Sequence, residues 1–188
     1  MDIDKYTNTL SLNVSLCQGV LKILKDFHEG KIDLADNSSA KAKVLQIITD
    51  YAVLKIHCLF DTTKGVISFE KVTRDFKKYL TEEEMKSFVR QYESIKNEYA
   101  GLIKRIENNR KIAIAHSQKE EELGLDQKSL DKIKEIWGER TSGVKAVEDE
   151  YVYIVNSNFP IEEAFMMVNK LEKLIFYYIW YPKIKKND

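Results

Sequence analysis

Thr81–His116, TEEEMKSFVRQYESIKNEYAGLIKRIENNRKIAIAH, is the stretch that decides the fold. Thr81 followed three residues later by Glu84 has the capping-box pattern that opens a helix. From Met85 onward Phe88, Val89, Tyr92, Ile95, Tyr99, Leu102, Ile103 and Ile106 recur at helical spacing, and no proline interrupts them. The spacing predicts one long helix running to His116, with Gly101 beside its apolar face as a point of close helix approach.

The same period extends towards the N-terminus. Leu10, Val14, Cys17, Leu21 and Leu24 alternate steps of four and three between Asp4 and His28, and Leu12, Leu16, Val20, Ile23 and Phe27 widen that stripe. This first helix is expected to end at Gly30. After a polar connection over Lys31 to Ser38, Ser39 is a suitable N-cap for a second helix. Its apolar trace is Val44, Ile47, Ile48, Tyr51, Leu54, Cys58 and Leu59, and Thr62 to Gly65 close it. Ser68 can cap a short helix carrying Phe69, Val72, Phe76 and Leu80. The pattern thins over 123–159. Leu130, Ile133, Ile136 and Trp137 suggest a short helix broken by Gly138 and Gly143, and Glu150 to Val155 reads as extended chain or the start of a helix. Pro160 suits a first helical turn, and Ile161, Phe165, Val168, Leu171, Leu174, Ile175, Tyr178 and Ile179 trace a last long helix. Residues 182–188 read as a frayed tail. The expected fold is therefore all-α, an antiparallel bundle of four to five helices in a single domain spanning 1–188.

Composition bounds the function. The chain has 188 residues, with 30 basic and 30 acidic side chains balancing to zero net charge, so any polyanion must be met by a local patch. Cys17 and Cys58 lie in apolar stretches without metal-ligand spacing and read as core residues. Met-Asp-Ile-Asp at the start lacks the basic region of an export signal, and the longest apolar run, Leu174 to Tyr181, is far short of the roughly 20 residues that cross a bilayer. A cytoplasmic protein with no membrane partner is expected. There is no phosphate-binding glycine loop, nucleophile elbow, zinc-protease helix or EF-hand loop. The sequence calls for no cofactor. A three-histidine metal site from His28, His57 and His116 is conceivable, with His57 and Asp61 the one local pair, but the spacing favours unrelated polar helix residues. Tyr177, Tyr178, Trp180 and Tyr181 read as core or dimer contacts rather than RNA contacts.

The segment around His116 stands apart. Between Lys104 and Lys119 five Lys or Arg residues face one acid, Glu107, a local net charge of +4. Arg, Lys, Asn and His together can hold a phosphodiester and move protons near neutral pH. On a straight helix Arg110 and His116 are about 120° apart around the axis and about 9 Å apart along it, too far to grip one phosphate without a second copy or a helix break. Arg105 and Asn109 fall within about 20° of the histidine's face. The alternative is that these cations only meet the dipole and free carbonyls of a helix C-terminus.

Arg110, five intervening residues and His116, written R-K-I-A-I-A-H-S, resemble the R-x(4–6)-H signature of the HEPN superfamily, and the surrounding text looks like its abortive-infection U-type branch. The resemblance implies a helical bundle, a two-fold homodimer that joins two motifs in one cleft, and a metal-independent endoribonuclease of a toxin–antitoxin or antiviral defence system. It implies RNA as substrate and an antitoxin protein as a further partner. Arg110 and His116 would be the catalytic pair, with Asn109, Lys111 and Arg105 holding substrate. Two departures are visible. Lys111 follows the arginine where the family usually has Asn, Asp or His, and no tyrosine stands just after His116, so control by adenylylation of such a tyrosine is not expected. A non-catalytic HEPN-like module that binds RNA or protein therefore stays open as the alternative.

Overall fold

The computed structural model describes residues 3–32, 38–76, 79–117, 135, 142–143, 154–155 and 159–180. For residues 3, 38–43, 46, 73, 111–117 and the two short strands it describes the backbone only. The fold is all-α. Its helices are α1 (Ile3–His28), α2 (Ser38–Phe60), α3 (Val72–Asp75), α4 (Glu82–Glu98), α5 (Ala100–Ser117) and α6 (Ile161–Ile175). A 3₁₀ turn, Phe69–Lys71, leads into α3, and a π-helical turn, Phe176–Trp180, prolongs α6. The chain forms two compact units. The first holds Met1–Gly19, Lys55–Ile103 and Glu162–Asp188, the second Val20–Leu54 and Lys104–Ile161, so α1, α2 and α5 each contribute to both.

In the first unit α6 is antiparallel to α1 and to α4. Trp180 Nε1 donates to Ser11 Oγ at 3.0 Å, while Gln18 Nε2 donates to Asn169 Oδ1 and Glu172 Oε2 at 2.9 Å each. As α1 rises from 11 to 18, α6 therefore falls from 180 to about 170. The α4 side runs likewise. Ser87 and Tyr178 share a 2.7 Å hydrogen bond, and Lys170 Nζ donates to Glu98 Oε1 at 2.5 Å. Between these pairs the apolar stripes meet in a core that includes Tyr6, Leu10, Val14 and Cys17 of α1, Phe88, Tyr92 and Ile95 of α4, and Met167, Val168, Leu171 and Leu174 of α6. Tyr92 stacks against Phe69 and Phe88 with ring centroids 5.8 and 6.1 Å apart and donates its hydroxyl to Glu70 at 3.0 Å. Burial and that neighbouring carboxylate raise the phenol's pKa. Cys17 is a core thiol, with its pKa pushed up to about 12 by burial and then by neighbouring Cys58.

The loop Asp61–Ser68 between α2 and the 3₁₀ turn is held by side chains rather than by regular structure. Gly65 takes the left-handed region at φ +90°. Lys71 Nζ, almost wholly buried, donates to the carbonyls of Thr63 and Val66. Ser68 stands at the N-cap position, but its hydroxyl reaches back to the Asp61 carbonyl at 2.6 Å instead of capping the helix. Tyr6 Oη then donates to the Ser68 carbonyl at 2.8 Å, so a residue from the first turns of α1 closes the loop.

In the second unit the buried side chains include Leu21, Leu24 and Phe27 of α1, Thr49, Ala52 and Val53 of α2 and Ile106 of α5. The end of α1 is a Schellman motif. Gly30 at φ +70° donates to the Phe27 carbonyl at 3.1 Å, and Lys31 donates to that of Asp26 at 2.8 Å.

Several expectations are met and several shift. The capping box at Thr81 and Glu84 is formed reciprocally. The long helix after it is interrupted at Tyr99, which sits at φ −107° and ψ 19° while still donating to Ile95 O and accepting from Ile103 N–H. Hydrogen bonding thus bridges a one-residue departure, placed just before the weak helix former Gly101. Gly101 itself is exposed, and a Cβ built there meets no atom within 4 Å, so it marks no close approach among the described residues. α2 starts at Ser38, which puts Ser39 inside the helix. Its buried stripe is Thr49, Ala52, Val53, Ile56 and Leu59, while Ile47 and Tyr51 face solvent. Ile154 pairs with Gly143 and Val155 with Ser142 in a short antiparallel ladder, which supplies the strand partner that the sequence did not reveal. Of the proposed helix near Trp137 only Glu135 is described, and it is helical, while the tail 182–188 lies outside the described residues.

Thr81→Ala removes the side-chain half of the capping box, the bond from the Glu84 N–H to the threonine hydroxyl, and leaves the backbone N–H of residue 81 to donate to the Glu84 carboxylate. It is expected to destabilise the protein by about 1 kcal/mol and lower the thermal midpoint by a few degrees, measured by circular dichroism.

Candidate functional site

α5 carries the basic segment, and its backbone is helical through Ser117. Because the helix continues past the motif, Arg110 lies seven residues before its last residue and His116 lies in its last turn. The helix dipole acts within the final turn, so it accounts for a cation at His116 but not for one at Arg110. No described break brings Arg110 and His116 together. The regular helix keeps them about 120° apart around the axis and about 9 Å apart along it.

The described part of α5 sorts its side chains by register. Leu102 and Ile106 are buried at 1% exposure, and Asn109, three residues further along the same stripe, is buried at 4%. Arg105 and Arg110 are half-buried beside that stripe, each with interactions of its own, and Lys104, Glu107 and Asn108 are exposed. Continuing the stripe by four and by seven residues from Asn109 places Ala113 and His116 on the same helix face. The side chains of Lys111 and His116 lie outside the described residues. The structure thus gathers Asn109 and the His116 position on one face and sets Arg110 on another.

Asn109 is the polar member of an otherwise apolar stripe. A buried primary amide needs hydrogen-bond partners to offset its desolvation. No hydrogen bond to its side chain is formed with the described residues.

The histidines do not form a metal centre among the described residues. His28 is exposed at the end of α1, and His57 pairs with Asp61 through Nδ1 and Oδ2 at 3.9 Å. No described group of three or more His, Cys, Asp or Glu could hold a metal ion. No described helix is long and apolar enough to cross a membrane.

The C-terminal aromatics divide. Tyr178 is drawn in, with Ser87 and Gln91 on its hydroxyl and its ring edge-on to Phe88 at 5.8 Å. Phe176, Tyr177 and Trp180 are exposed at 49%, 60% and 37%. Beside them Ser11, Val14, Ser15, Glu172, Ile175, Phe176 and Trp180 line an open groove of about 330 Å³. Sequence reasoning did not find this groove. Its signal is faint, two serines four residues apart on α1 opposite an aromatic run.

Comparison with protein-family models, with curated proteins and with solved structures finds no match for the chain.

Asn109→Leu completes the apolar stripe and removes the amide. It is expected to raise stability by about 1 kcal/mol, read as a higher denaturation midpoint with unchanged slope.

Proposed function

We propose that the protein is a HEPN-like, metal-independent endoribonuclease acting as a homodimer in the cytoplasm, in a toxin–antitoxin or antiphage role. The observation that carries the reading is Arg110, set seven residues before the end of α5 in a +4 segment, with His116 six residues further on, about one and two-thirds turns. A last-turn cation would need no function, but Arg110 lies too far from the helix end for that account.

In this reading the 2′-hydroxyl of the substrate attacks the adjacent phosphorus, and the 5′-oxygen of the next nucleotide leaves. His116 takes or gives the proton because an imidazole titrates near neutral pH. Arg110, permanently charged and forked, holds the scissile phosphate and the charge that grows on its oxygens. The separation of Arg110 and His116 on one helix is met by a second copy, each cleft drawing on both protomers. Arg105 and Lys111 meet flanking phosphates, a contact that weakens with salt. Asn109, buried on the same stripe as Leu102 and Ile106, stands behind that surface rather than on it. An antitoxin protein would cover the cleft until activity is needed.

A second reading, a non-catalytic module that binds RNA or protein, is favoured by Lys111 standing directly after Arg110. A lysine there binds phosphate as a point charge without the geometry of a small polar side chain.

Incubation with mixed RNA in EDTA should give fragments ending in 2′,3′-cyclic phosphate. His116→Ala and Arg110→Ala should each slow cleavage by about a hundredfold or more. Cleavage equal to wild type in the double variant would sink the reading. RNA binding without cleavage, lost in Lys111→Glu, would establish the binding module instead.

A further inference from the structure

The groove in the first unit is chemically one-sided. Its floor is apolar, with Val14 and Ile175 buried at 1% and 3% exposure. Its walls are Ser11 and Ser15 of α1 facing Glu172, Phe176 and Trp180 of α6 and its π-helical turn. Glu172 is the one charged residue in that lining, and no lysine, arginine or histidine takes part. Two of these groups are held in place from α1. Gln18 Nε2 donates to Glu172 Oε2 and to Asn169 Oδ1 at 2.9 Å each, which uses both of its N–H groups. A neutral amide positions the carboxylate without cancelling its charge. Trp180 gives its single donor, Nε1–H, to Ser11 Oγ at 3.0 Å, so what the indole offers the groove is hydrocarbon and a π face. Phe176 supplies a second ring from the other end of the same π-helical turn, a rare geometry that recurs at functional sites.

We infer that this groove binds a small free organic cation, an alkylammonium ion whose carbons lie on Val14 and Ile175 and whose charge meets the Phe176 and Trp180 rings and the Glu172 carboxylate. Charge complementarity selects that class. Aromatic faces are the negative side of a quadrupole and attract cations, tryptophan most strongly. The carboxylate adds a full negative charge with no cation in the lining to oppose it, so an anion is repelled. A bare metal ion is a poor fit, because it needs several oxygen or nitrogen ligands and the lining supplies one carboxylate and two hydroxyls. A neutral apolar molecule would leave the pinned carboxylate unused. Size agrees: about 330 Å³ is at the lower end of small-molecule sites, room for an ion of a few carbons. The inference is independent of the ribonuclease reading, since the groove belongs to the first unit and the basic segment from Lys104 onward to the second.

Titration of the chain with choline, followed by saturation-transfer NMR on the N-methyl protons, tests this against the uncharged isostere in which carbon replaces the nitrogen. Choline should bind saturably with a dissociation constant on the order of 1 mM, as an open site gives, and the isostere at least about threefold more weakly. Glu172→Gln keeps an acceptor for Gln18 and removes only the charge. It should weaken choline at least about threefold and leave the isostere unchanged, which damage to folding cannot do. Trp180→Leu should weaken choline by a similar factor, with circular dichroism as the control for folding. Absence of saturable choline binding overturns the inference. Equal binding of the isostere overturns it by making the groove merely apolar, and choline affinity unchanged in both variants overturns it by placing the cation elsewhere. Binding of phosphatidylcholine vesicles without binding of free choline overturns it in favour of a lipid headgroup.

Discussion

The first unit depends on α6 lying antiparallel to α1 and α4. Its two faces could not be more different: Met167, Val168, Leu171 and Leu174 are at most 2% exposed, whereas Met166 and Tyr177 are more than half exposed. The apolar stripe supplies the attraction, which is proportional to area and indifferent to a helix sliding along its axis. Position along the axis comes from the polar pairs at the margins. Ser11 with Trp180, Gln18 with Asn169 and Glu172, Ser87 with Tyr178, and Glu98 with Lys170 are spread along α6. A shift of one residue moves a helix about 1.5 Å and rotates its side chains about 100°, which breaks all of them together. Exposed pairs such as Glu98 and Lys170 add little stability, so their part is to fix register. Because α1 and α6 come from opposite ends of the sequence, that register is set only when most of the chain has been placed.

Where one face of a helix is apolar and the other charged, the sequence announces the packing. The stripe Leu10, Val14, Cys17, Leu21 and Leu24 is buried throughout, as is most of the stripe on α6, and the Thr81 capping box is a local interaction whose partners sit three residues apart. α2 was less legible because it is apolar on several sides, so composition cannot choose a face. Neighbouring elements choose it, burying Thr49 and Ala52 and leaving Ile47 and Tyr51 in solvent. Thr49 can be buried because its hydroxyl donates to the Leu45 carbonyl at 2.8 Å, an option a hydrophobic pattern does not register. The interruption at Tyr99 was invisible for a different reason: hydrogen bonds run on through it, and the apolar period is kept on both sides. The pairing of Ser142–Gly143 with Ile154–Val155 joins residues that no local rule connects.

The candidate site shows the same division between local and non-local information. The letters and spacing of Arg110 and His116 are local, and so is the helix on which they stand. Periodicity puts Asn109 and the His116 position on one helix face, but periodicity does not say whether a face is open. The burial of Leu102, Ile106 and Asn109 shows that this stripe is covered, at least to the level of Asn109. Arg105 and Arg110, at opposite margins of that stripe, keep partial exposure and are the better placed to meet a large anion. On a chain with no net charge, attraction for a polyanion comes from local basic segments such as this one and dies away within about 10 Å at moderate salt, so contact must be close and local to matter.

Arg110 and His116 diverge around one helix, so a phosphate held by both needs a second motif opposite the first. A two-fold axis meets that demand with one operation, since whatever one protomer presents to its mate it also receives. Without such an axis each α5 has only the contacts its own cations can make, which hold a phosphate by charge but do not set a proton-transfer group beside it.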